Sequence, residues 1–174
     1  PSYKLAQNLA ERISKELGYI ILSGGGGGIM EAASRGAHDV GGKSVGLTIR
    51  LPHEQQTNKY VTDVIPFYFF FARQVSMSYM TEVCIFCPGG FGTLNELFEM
   101  LTLQQTGKLG RIPIILLGVD FWTPMQAFIK EVLLEKYNVI GSDDLNLYTI
   151  TDNEDNILKI ISESRLRDGR DALA

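Results

Sequence analysis

Two glycine-rich segments and three charged side chains are the parts of this 174-residue sequence best suited to chemistry. The first segment is Ser23-Gly24-Gly25-Gly26-Gly27-Gly28-Ile29-Met30-Glu31, which follows an apolar run and opens a helical pattern. Residues without a Cβ let the backbone approach a ligand closely, and unpaired N–H groups at a helix start favour an anion. A tight strand-to-helix turn would use the same residues, but five consecutive glycines are entropically costly for a turn alone. Ligand contact is the better reading, with Gly25, Gly26 and Met30 as candidate contacts. The second segment is Cys87-Pro88-Gly89-Gly90-Phe91-Gly92-Thr93-Leu94-Asn95-Glu96. Its spacing puts Thr93 at a helix N-cap and Glu96 three residues later, which is a capping box. The functional alternative is that the backbone of Gly89, Gly90 and Gly92 and the Thr93 hydroxyl hold a phosphate while Glu96 meets a sugar. Local spacing leaves both open.

The charged candidates are Arg73, Glu54 and Glu96. Arg73 follows six apolar or aromatic residues, 67–72, an unusual setting for an idle surface charge. It offers five fixed donors for a phosphate or carboxylate, or lays its stem over phenylalanines at a helix end. Glu54, in Leu51-Pro52-His53-Glu54, is a loop carboxylate of a kind that is usually solvated, but its loop leaves the end of the 45–49 strand on the side where ligands bind in open α/β sheets. His53 has no partner visible in the sequence and reads as a surface or structural residue.

Other chemistries find less support. Neither glycine segment is a G-x-G-x-x-G fingerprint: the first would need glycine at Ile29 or Met30, and the second has Asn95 at its third glycine position. Gly42-Lys43-Ser44 imitates the end of a Walker loop, but Ala37 stands where the leading glycine belongs and a strand follows. Cys84 and Cys87 form C-x-x-C inside a strand rather than at a helix start, so a redox pair is disfavoured. Two histidines and no ligand cluster point to no metal site.

The elements that must position these residues follow from periodicity. Leu5, Leu9, Ile13 and Leu17 predict a helix over 2–17, stopped by Gly18. Short apolar runs predict strands at 19–22, 45–49, 61–65, 83–87, 112–117 and 147–150. Helical patterns lie between them at 29–40, after the aromatic stretch 67–71 (carrying Arg73, Met77 and Met80 on neighbouring turns), at 93–105, at 121–137 and from 152 onward. Strand–helix alternation predicts an α/β, doubly wound, Rossmann-like parallel sheet with helices on both faces, in a single domain over 1–174. A doubly wound domain normally begins with a strand; this sequence begins with a helix, so a first strand and its loop are expected to be absent from it. The tail after Arg165 is polar enough to fray.

Composition bounds the partners. A net charge of −4 with no basic patch argues against nucleic acid polymers. The longest uncharged apolar run, 64–72, is broken by Pro66 and is about half a membrane span, so no membrane partner is expected. Two cysteines and no signal-like start make a reducing cytoplasm the expected location.

The block from Gly24 through Ile29-Met30-Glu31-Ala32-Ala33, together with Pro88-Gly89-Gly90-Phe91-Gly92-Thr93-Leu94-Asn95-Glu96, resembles the LONELY GUY (LOG) family of cytokinin-activating enzymes. The second block matches its Pro-Gly-Gly-x-Gly-Thr-x-x-Glu signature, and similarity extends through the Leu51 to Gln55 loop, the Phe70-Phe71-Ala72-Arg73 segment and the helix ending at Gly107. The resemblance implies a phosphoribohydrolase that cleaves the N-glycosidic bond of a nucleoside 5′-monophosphate, without a cofactor. It implies Arg73 and Glu96 as the catalytic pair, Glu54 as a substrate-binding residue, and Gly89, Gly90, Gly92 and Thr93 as phosphate or ribose contacts. It also implies a homodimer pairing the helices around Met77 to Met80 and from Thr93. Two departures stand out: Gln74 replaces the lysine that commonly follows the arginine, and Gly27 replaces a proline. The label lysine decarboxylase, often given to such proteins, finds no lysine here in a pyridoxal-phosphate context. The rival reading is a non-catalytic nucleotide- or molybdenum-cofactor-binding carrier.

Overall fold

The computed structural model describes residues 2–50 and 56–165; Glu54, His53 and the tail after Arg165 lie outside the described residues. The chain divides into two compact units, Pro1–Thr81 and Glu82–Ala174.

In the first unit α1 (Ser2–Arg12) runs on through a wider-wound turn, Ile13–Leu17, and stops where Gly18 takes φ 72°. Its face of Ala6, Leu9, Ala10 and Ile13 is buried. The crossing with α2 (Ile29–Asp39) is close because residue 36 is glycine: a Cβ there would strike the Gln7 carbonyl oxygen and stand 2.8 Å from the Glu11 nitrogen. The strands β1 (Ile21–Ser23), β2 (Ser44–Ile49) and β3 (Asp63–Phe67) pair in parallel in that order, with Ser23 opposite Gly46 and Gly46 opposite Val64. Beneath them Ser44 Oγ donates to Ser34 Oγ at 2.9 Å, so two fully buried hydroxyls satisfy each other. β3, at the edge of this sheet, leaves Val64 and Ile65 exposed, unlike a strand covered on both faces. Helix α3 (Phe70–Met80) carries Arg73, Met77 and Met80 as expected, and buries Ser78 alone.

In the second unit β4 (Cys84–Phe86), β5 (Ile114–Leu116) and β6 (Thr149–Ile150) also pair in parallel in chain order. They are connected through α4 (Phe91–Gln105) and α5 (Val119–Ala127), which continues as a wider-wound stretch, Phe128–Lys136; α6 (Glu154–Glu163) follows β6. All three residues of β5 are buried, as a central strand in an α/β layer requires. Leu97, Met100, Trp122 and Ile129 pack with it, and the Trp122 indole N–H donates to the Leu117 carbonyl at 3.0 Å. The parallel α/β architecture with helices on both sides is the one expected; the strands hydrogen-bond as two groups of three. Among the described residues no helix is long and apolar enough to cross a membrane, and no group of metal-ligating side chains occurs.

Candidate functional site

In each unit a strand ends in glycines that open a helix, and the two junctions are built differently. In the first unit, Gly25 and Gly28 have φ of 74° and 69°, backbone that side chains rarely adopt. Gly25 also lies against β2: a Cβ on it would come 3.2 Å from Thr48 Cγ2 and 3.3 Å from Gly46 Cα. The Gly25 N–H donates to Ser23 Oγ at 3.1 Å. Gly25 and Gly26 are buried, whereas Gly27 and Gly28 are exposed at the mouth of α2. Gly28 is the N-cap of α2 and supplies no side chain to the first helical N–H groups.

Arg73 reaches this loop from α3. A Cβ on Gly24 would stand 3.2 Å from Arg73 Nη1 and 2.9 Å from Met30 Sδ, so the glycine makes room for a guanidinium and a thioether together. The guanidinium carbon lies 5.9 Å from the centre of the Phe70 ring, which places the cation over an aromatic face. The structure therefore gathers Gly24, Gly25, Gly26, Met30 and Arg73 in one place, a polar cation against glycine backbone.

In the second unit α4 begins earlier than its sequence suggests. Gly90 is the N-cap and Phe91 the first helical residue, so Thr93 is the third residue of the helix and Glu96 the sixth. The expected capping box of Thr93 and Glu96 does not form, and the N-cap makes no side-chain hydrogen bond. The cause is the fold of the glycines: the Thr93 side chain packs onto Gly89 where a Cβ would collide with its hydroxyl, and the Leu94 N–H bonds the Gly90 carbonyl at 3.1 Å. Glu96 is half-buried on the first turns of α4. One turn on, burial pushes the Glu99 carboxyl above its usual range.

Two side chains not singled out from sequence support these junctions. Asp152 accepts from the Gly118 N–H at 2.6 Å and the Val119 N–H at 3.2 Å, capping α5 beside Pro88, whose ring would meet a Cβ on Gly118 at 2.8 Å. Asn58 donates from Nδ2 to the carbonyls of Gly25 at 3.1 Å and Gly26 at 2.9 Å. A short polar residue between Thr57 and Lys59 reads as an ordinary turn, and its partners lie more than thirty positions upstream, so no local signal marks it. Cys84 is buried in the core and Cys87 follows the end of β4; burial pushes the Cys87 thiol up to about 11, which makes it a poor nucleophile at neutral pH.

Parallel α/β units whose strands run into glycine-lined helix starts define a Rossmann-type class of fold. Within it, the chain belongs to the LOG family, whose model, described as "Possible lysine decarboxylase", matches residues 30–161. The chain is 33% identical over 137 residues to cytokinin riboside 5′-monophosphate phosphoribohydrolase LOG of Oryza sativa subsp. japonica, covering 75% of this chain and 56% of that protein. It is 28% identical over 162 residues to the LOG2 enzyme of the same name from Arabidopsis thaliana, covering 92% and 73%. The chain thus spans little more than half the length of the rice relative. Among solved structures it resembles the molybdenum cofactor binding protein of Rippkaea orientalis, with TM-score 0.69 and 25% identity over 92% of this chain and 86% of that one.

Proposed function

We propose that this chain is a nucleoside 5′-monophosphate phosphoribohydrolase, acting on AMP or a cytokinin riboside monophosphate as a single nucleotide-binding domain over residues 1–174. The observation that carries the reading is the placement of Glu96: a half-buried carboxylate on the first turns of a glycine-led helix, within the family's signature, at the sixth helical position rather than the third. Departure of the base builds positive charge on the ribose, an oxocarbenium-like state that a carboxylate stabilises. In this mechanism Glu96 faces that charge and takes one proton of the attacking water. The water oxygen bonds C1′ as the C1′–N bond breaks, the base nitrogen takes a proton from solvent, and Glu96 returns its proton to solvent, giving free base and ribose 5-phosphate. Arg73 supplies fixed positive charge for the substrate anion at the first glycine loop, where Gly25, Gly26 and Met30 make contact. Gly89, Gly90, Gly92 and Thr93 contact phosphate or ribose, and Glu54 is assigned substrate binding from the family resemblance.

Incubation with AMP and with isopentenyladenosine monophosphate tests the reading. Release of base matched by ribose 5-phosphate is expected from at least one; tight binding of either nucleotide without release would favour the carrier reading, which the likeness to the Rippkaea protein supports.

A homodimer in the reducing cytoplasm is part of the proposal. Its support is apolar surface on one helix and its lead-in: Tyr68, Phe69, Phe70, Phe71, Val75 and Met80 are all more than half exposed. A patch of that kind on a free protein marks an association surface.

A further inference from the structure

We infer that Asn58 is a positioning residue that orients the first glycine loop for an anion; this deepens the nucleotide reading and rests on it. Asn58 binds the loop twice over. Its own N–H donates to the Gly25 carbonyl at 2.8 Å, and Nδ2 donates to the carbonyls of Gly25 and Gly26 at 3.1 and 2.9 Å. The same Nδ2 lies 3.4 Å from Ser34 Oγ, which ties it to the buried Ser34–Ser44 pair. On the other side, Asn58 Oδ1 accepts from the Tyr60 N–H at 3.1 Å, so the carboxamide is fixed as donor toward the loop and acceptor toward its own turn.

The consequence follows from peptide geometry. In a trans peptide the N–H points opposite to the C=O. With the Gly25 and Gly26 carbonyls drawn to Asn58, the N–H groups of Gly26 and Gly27 face the other way. Neither N–H is bonded to an acceptor among the described residues, whereas the Gly25 N–H is taken by Ser23. Beyond them the loop emerges into solvent at Gly27 and Gly28 and enters α2 through an N-cap with no side-chain bond. Glycine has no side chain to hold such a backbone in one orientation, and peptides free to flip would average out any cradle. Asn58 removes that freedom and leaves successive N–H groups aligned toward an anionic group, beside the Arg73 guanidinium that lines Gly24.

The test compares Asn58→Ala and Asn58→Asp with the unaltered chain. Asp keeps size and the acceptor for Tyr60 but turns the donor into an oxygen facing two carbonyls. The glycine amide resonances are followed by NMR during titration with inorganic phosphate, with KM and kcat for AMP measured alongside. In the unaltered chain the Gly26 and Gly27 amides are expected to shift, and both variants should need at least about tenfold more phosphate, as expected when a charge-assisted contact is lost. KM should rise by a similar factor while kcat changes less than about threefold, the split a positioning role predicts. Ser34→Ala, which removes the buried serine pair and the longest Asn58 contact but keeps both Asn58 bonds to the glycine carbonyls, should lower the melting temperature and leave KM alone. The inference is overturned if the amides do not respond to phosphate, if the variants titrate like the unaltered chain, or if both variants fail to fold. Absence of AMP turnover in the unaltered chain would instead defeat the phosphoribohydrolase reading, while the phosphate titration still decides the role of Asn58.

Discussion

The two glycine junctions look alike in sequence but use glycine for different physical reasons. In the first, Gly25 and Gly28 are needed for conformation: both have positive φ, and the loop is held from outside by Asn58 and Ser23. In the second, none of Gly89, Gly90 and Gly92 has positive φ, and Gly89 is needed for space, because the Thr93 side chain occupies the volume a Cβ would take. One loop is shaped by remote hydrogen bonds, the other by a side chain four residues away. Both deliver a helix start without a side-chain cap, which is what an anion site requires.

The largest effect expected is on chemistry at the second junction. Glu96→Gln should lower AMP turnover about a thousandfold, some 4 kcal/mol of barrier, with a thermal melt close to that of the unaltered chain. If the melt collapsed with the activity, Glu96 would be a structural residue after all. Next comes Gly25→Ala, which forces a side chain into positive φ and toward Thr48 and Gly46; a loss of roughly 2–3 kcal/mol by denaturant titration is expected.

Gly89→Ala sharpens the contrast. It should cost roughly 1–3 kcal/mol, and a second change, Thr93→Ala, should restore part of that stability because the obstacle is a side chain. No single side-chain removal should rescue Gly25→Ala, where the obstacle is the backbone torsion. Equal rescue at both sites would erase the distinction between conformation and space.

The smallest effect at neutral pH is at Cys87. Burial raises its thiol from 9.0 to about 11, so the folded state keeps a proton that the unfolded state releases, and stability falls as pH rises through that window. Cys87→Ala should change stability by less than about 1 kcal/mol at pH 7 and flatten the decline between pH 9 and 11. An unchanged slope in alkaline denaturation would show that another group governs it.

How much of this was legible in the sequence depends on how local the cause is. The helix from Ser2, its stop at Gly18 and the strand at Ile114 follow from periodicity and glycine, which act over a few residues. The start of α4 does not: Thr93 and Glu96 have the spacing of a capping box, yet the packing of Thr93 on Gly89 moves the N-cap back to Gly90. The wider-wound continuation of α5 over Phe128–Lys136 carries no mark that periodicity distinguishes. Arg73 stood out because a charge after six apolar residues is unusual, whereas its place beside Gly24 depends on how α3 packs. Asn58 was invisible, since a turn asparagine is common and its carbonyl partners are distant in the chain.

The measurement that tests the central claim most directly is a side-by-side incubation of the unaltered chain and Glu96→Gln with AMP, with adenine and ribose 5-phosphate both quantified. The unaltered chain should release the two in equal amounts and the variant almost none. Intact AMP with the unaltered chain, or equal release by both proteins, would contradict the account.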